Sequence, residues 1–148
     1  MKNLSHDFAA LLVTAWVGGL WAIGYLATPV LFAAQPDRQL AGMLAGQMFT
    51  WVGYLGLVCG TVLLILRIAL SGRASFRLAV FWVIAAMLLI ALALQFGIQP
   101  AMAEIKSQTL PLDVMLSGRF KMLHGVSSLL YMTQSLLGVV LVIKTRRV

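Results

Sequence analysis

The sequence predicts an all-α fold, an integral membrane four-helix bundle with both termini cytoplasmic, and three observations predict it. The first is composition. Of 148 residues, 61% are hydrophobic and 10% charged, with a mean hydropathy of +0.98. Soluble domains hold roughly half apolar and a quarter charged residues, so this chain's main solvent is lipid. The second is four long apolar runs, at about 8–33, 41–70, 76–98 and 120–143. Each meets the roughly 20 residues that a helix needs to cross a hydrocarbon core of about 30 Å. The third is that the basic residues gather at the ends of those runs. The length predicts a single domain, residues 1–148.

Each element has its punctuation. Gln35-Pro36-Asp37-Arg38 closes the first run, Ser71-Gly72-Arg73 makes a tight turn between the second and third, and Gln99-Pro100 ends the third. In lipid, a single segment satisfies its own backbone only as a helix, so each run reads as a transmembrane helix. Lys2 ahead of an apolar run resembles a signal peptide. The run is too long for a signal core and no Ala-x-Ala site closes it, so it is expected to remain as the first helix.

Orientation comes from the cations. Lys2, Arg67, Arg73, Arg77, Lys144, Arg146 and Arg147 fall on one side; Arg38, Lys106, Arg119 and Lys121 fall on the other. Seven against four puts both termini in the cytoplasm and the 99–119 loop outside. In that loop, apolar residues mixed with Glu104, Lys106 and Asp113 predict a segment that lies at the interface or covers the bundle. The net charge of +7 is thus a topology signal. No basic helix face exists for nucleic acid.

Several chemistries are excluded. Cys59 has no second cysteine, which removes internal disulfides and two-Cys metal motifs, and it reads as a small packing residue. No nucleophile elbow, His-Glu-x-x-His helix or P-loop occurs, so a hydrolase is not expected. The acids Asp7, Asp37, Glu104 and Asp113 all lie outside the spans, which argues against a carboxylate pathway for protons or cations.

In the second run, Gly42, Gly46, Gly53, Gly56 and Gly60 fall within a stripe about 80° wide, interrupted by Phe49. Such small-xxx-small patterns let helices approach closely in lipid, either within the chain or between copies in a homo-oligomer. The first run carries Trp16-Val17-Gly18-Gly19-Leu20-Trp21, then Tyr25 and Pro29. Bulky and absent side chains side by side suit a planar ligand or a neighbouring helix, and Pro29 predicts a kink.

The fourth run is the most informative. His124, Ser128, Tyr131, Ser135 and Gly138 share one face about 80° wide, flanked by Ser127 and Gln134. Polar groups in a bilayer turn inward, so His124 is expected to head a polar seam near the outer surface. Three roles suit it: a hydrogen bond to a neighbouring helix, a ligand to haem or metal, or a proton relay. His6 starts the first run on the other side and cannot share one iron with it. Met43, Met48, Met102, Met115 and Met122 fall on the same half as His124. His with Met suits haem iron and equally suits Cu(I).

The string Leu12-Val13-Thr14-Ala15-Trp16-Val17-Gly18-Gly19-Leu20-Trp21-Ala22-Ile23-Gly24-Tyr25-Leu26-Ala27-Thr28-Pro29-Val30-Leu31-Phe32 resembles the first span of the transmembrane protein 205-like family. Phe120-Lys121-Met122-Leu123-His124-Gly125-Val126-Ser127-Ser128 resembles that family's closing signature. The resemblance implies a small four-helix protein of a bacterial inner membrane, without a settled activity. More distantly, His6 ahead of Trp16-Val17-Gly18-Gly19 is similar to the first helix of the copper-resistance protein D group. The four-helix membrane protoporphyrinogen oxidases, which are haem-b proteins, share that plan.

These readings give three expectations for function. The first is haem b binding with an electron-transfer role near the outer face, the cofactor held by His124, Ser128, Tyr131, Met48 and Trp21. The second is binding or transport of copper or another soft metal by His124, Met43, Met48 and Met122. The third is a non-catalytic assembly subunit that packs through its glycine stripe. None is a classical enzyme.

Overall fold

A computed structural model describes residues 2–107 and 114–145, and it is helical almost throughout. Helix α1 (2–34) joins α-helical Lys2–Trp21, a π-helical turn Ala22–Ala27 and α-helical Thr28–Ala34. Helix α2 is Arg38–Ser71 and ends in the 3-10 turn Gly72–Arg77. Helix α3 (79–107) joins Ala79–Leu92, a second π turn Ala93–Ile98 and Gln99–Ser107. Helix α4 is Val114–Thr145.

Local chemistry sets the boundaries. The Asp37 carboxylate accepts from the N–H groups of Gln39 (2.8 Å) and Leu40 (3.1 Å), capping α2. Gly72, with φ +52°, takes the left-handed turn that ends α2 without a side-chain penalty. Ser75 is fully buried there and donates to Arg67 O at 2.6 Å, tying the turn back to α2.

The third helix departs from expectation. It does not stop at Gln99-Pro100 but runs on to Ser107, so much of the expected outer loop is helical. A proline lacks the N–H for the carbonyl four residues back and its ring crowds that carbonyl. Here the turn before each span's proline widens into a π turn, which absorbs both problems. The π turns end two residues before Pro29 and before Pro100 alike. Near Pro29, Thr28 Oγ1 also donates to Ile23 O at 2.8 Å.

The helices run up, down, up and down around a ring, α1 on α2, α2 on α3, α3 on α4, and α4 back on α1. Register is visible in close pairs. Gly24 faces Tyr131 and Gly138 faces Val17 across α1 and α4, while Gly53 faces Gln95 and Gly60 faces Leu88 across α2 and α3. All four helices are long and apolar enough to cross a membrane. Large apolar side chains such as Leu11, Trp51, Val58, Leu89 and Leu136 point outward. An apolar surface that extensive is untenable in water and is what a multi-pass membrane protein turns to lipid.

The dry core lies in the half nearer the termini. Val13, Trp16, Val17, Cys59, Leu63, Ile84, Met87 and Leu141 are buried there against one another. Trp16, at 0% exposed, fits because Gly56 and Gly60 leave room for its indole.

Candidate functional site: a cavity walled by all four helices

The other half of the bundle is hollow. A cavity of about 1100 Å³ lies among α1, α2, α3 and α4. Leu20, Val52, Gly53, Ala91, Gln95 and Gln134 line its closed end, at mid-bundle. Phe32, Arg38, Ile105, Phe120 and His124 line the end remote from the termini. Both π turns border it through Gly24, Tyr25, Leu94 and Gln95. Such turns recur at functional sites because they displace side chains from helical register.

One side wall is open. Up to Trp21, α1 packs on both α2 and α4; beyond it, α1 follows α2 and parts from α4. Tyr25, Ser128 and Met132, which line the cavity on that side, are exposed. Tyr131 spans the start of the gap. Its hydroxyl donates to Leu20 O, its ring fills the space left by Gly24, and Phe49 meets it edge-on at 5.1 Å and 83°.

His124 lines the cavity, but from its exposed edge. Its ring lies parallel to Phe120 at 8°, with centroids 6.2 Å apart. The polar face of α4 turns from solvent-side to core along its length: His124 and Ser128 are exposed, whereas Gln134, Ser135 and Gly138 are buried. The cause is the departure of α1, which uncovers the outer part of that face. Ser127 and Ser128 both donate to His124 O, at 2.9 and 2.8 Å, so their hydroxyl hydrogens serve their own helix.

Of the expected cofactor-binding set, His124, Ser128 and Tyr131 line the cavity, while Met48 and Trp21 do not. Of the expected metal donors, His124 and Met43 line it; Met48 does not, and Met122 is 63% exposed away from it. Met102 and Met132 are thioethers at the cavity instead. Met115 has no described side chain. Gly42, Gly46 and Gly53 line the cavity, and Gly56 and Gly60 receive Trp16, so the stripe turns into its own bundle. His6 is at the termini end, where its Nδ1 stands 4.0 Å from Asp7. Among the described residues, no three His, Cys, Asp or Glu gather as metal ligands.

Gln95 was not singled out from the sequence, and Gln134 only as a flank of the polar face of α4. Gln95 is 6% exposed, and among the described residues its carboxamide has no hydrogen-bond partner. Its oxygen lies over the backbone of Gly53. Gln134 is 2% exposed and donates through Nε2 to Met87 O at 3.4 Å. The readable signal for Gln95 was a carboxamide amid Leu92, Leu94 and Phe96, since a polar side chain inside a span turns from lipid.

No curated protein and no solved structure matches the chain, so no named homologue supports a link to the transmembrane protein 205-like or copper-resistance protein D groups. One family profile, described as a domain of unknown function (DUF4149), matches residues 11–110. That stretch takes in both π turns, the glycine stripe and Gln95, and stops before α4 and His124. The chain therefore belongs to the DUF4149 family, a domain of unknown function.

Proposed function

We propose that the protein is a membrane-embedded binding protein that would hold haem b in its cavity, with His124 as a donor to its iron and electron transfer as the role. The observation that carries this reading is one cavity, walled by all four helices, that has an imidazole at its outer edge and, among the described residues, no carboxylate in its lining. The donor set fits the group. Met43 and Met102 supply thioethers from the adjacent walls α2 and α3, and Arg38 at the same end suits propionates. Phe32 and Phe120 at that end suit a flat macrocycle. Bound there, haem would supply one-electron chemistry.

The bilayer is the inner membrane in this reading, with the termini cytoplasmic and the cavity toward the outer face. Arg67, Arg73, Arg77 and Lys144 at the termini end support that orientation. The copper reading is weaker, because only two of its four donors line the cavity. The assembly reading is weaker because Gly53, Gly56 and Gly60 meet Gln95, Trp16 and Leu88 of the same chain, and Gly42 and Gly46 line its cavity.

Protein purified from haem-replete cells should be red, with a sharp reduced-minus-oxidised band that His124→Ala removes. Colourless protein under those conditions, or a band that survives the substitution, would overturn the reading.

A further inference from the structure

We infer that the closed end of the cavity is a binding subsite for the head ring of a lipid-soluble quinone or its quinol. This goes beyond the haem reading and does not use His124.

Gln95 carries the argument. The residue is 6% exposed, lines the cavity with its carboxamide oxygen over Gly53 of α2, and has no hydrogen-bond partner among the described residues. Buried polar groups are almost always hydrogen-bonded, so the partner comes from within the cavity. Gln134 stands at the same end with its Oε1 likewise without a hydrogen-bond partner. Each carboxamide offers N–H donors and a carbonyl acceptor. Together they match a neutral ring whose oxygens accept as carbonyls or donate as hydroxyls.

Charge and shape narrow the class. Among the described residues no Asp, Glu, His, Lys or Arg lines the closed end, and Arg38 stands at the other. An ionic head placed here would be buried without a counter-charge, at great cost. Phe49 and Tyr131 meet edge-on and Tyr25 lies 6.4 Å from Tyr131, giving aromatic walls for a flat ring. The gap between α1 and α4 opens sideways within the apolar span, so an attached hydrocarbon tail can pass directly into lipid.

The test titrates the full-length protein in detergent micelles with a benzoquinone bearing a ten-carbon tail, following the quenching of tryptophan fluorescence. Saturable one-to-one quenching is expected. Gln95→Leu and Gln134→Leu should each weaken the dissociation constant about tenfold, or about 1.4 kcal/mol. The same tail on a plain benzene ring should bind the wild type at least about tenfold more weakly, a comparison that needs no variant to fold. His124→Ala should leave quinone affinity unchanged while it removes any haem band, so failure of either reading is distinguishable. Unsaturable partitioning, equal affinity for the oxygen-free probe, or wild-type affinity in a folded Gln95→Leu protein would overturn the inference; the last points to water alone as the carboxamide's partner.

Discussion

The two halves of the bundle use the same ingredients to opposite ends. Near the termini, helix α2 offers Gly56 and Gly60, and Trp16 fills the space they leave. One turn further from the termini, Gly53 leaves space that only the tip of Gln95 enters, and beyond it Gly42 and Gly46 line a hollow. Both outbound helices, α1 and α3, change from α to π as they pass from the first half to the second. The lesson is that a glycine stripe specifies close approach only where a large side chain stands opposite. Where the facing helix is displaced by a π turn, the same stripe leaves a cavity.

Breaking the dense half should have the largest effect. Gly56→Leu drives a branched side chain into the Trp16 indole, which is enclosed and cannot retreat. Purification should yield aggregate rather than a monodisperse peak by size exclusion. Gly53→Ala, one turn away, meets only the flexible end of Gln95 and should yield a folded protein. Equal behaviour of the two would erase the distinction drawn here.

A methionine pair tests the same contrast more finely. Met87 is fully buried in the dense half, and Met43 lines the hollow half with an exposed side chain. Truncating a buried methionine to alanine typically costs about 2–5 kcal/mol, so Met87→Ala should lower the melting temperature by several degrees. Met43→Ala should stay within about 0.5 kcal/mol of wild type.

Serines give the smallest difference. Ser75 is fully buried and donates across the α2–α3 turn, so Ser75→Ala should cost about 1 kcal/mol. Ser128 donates to its own helix from an exposed position, so Ser128→Ala should leave thermal unfolding unchanged. Thermal unfolding in micelles, followed by circular dichroism, reads both.

Much of the fold was legible because lipid imposes simple rules. Four apolar runs became four helices, with α2 starting at the capping Asp37 and ending at Gly72. Pro100 misled, since proline usually stops a helix, and only three-dimensional context shows that a π turn lets α3 continue. The site was less legible. His124, Ser128 and Tyr131 share a face by spacing and do line the cavity. Met122 is two residues from His124, hence about 200° around the helix, and that alone turns it away. Met48 fails for a similar reason, being off the Gly42 and Gly46 face. The opening of one wall could not be read from periodicity, because it depends on where α1 leaves α4.

The central claim is that the half remote from the termini is built to hold a small molecule. Native mass spectrometry of the protein released from its own membrane tests it most directly. Wild-type protein should carry noncovalent small-molecule mass beyond its chain, a haem component absent in His124→Ala and a quinone component strongly depleted in Gln95→Leu. Wild-type protein that flies at the bare mass of its chain, under conditions that retain bound lipid on other membrane proteins, would contradict the account.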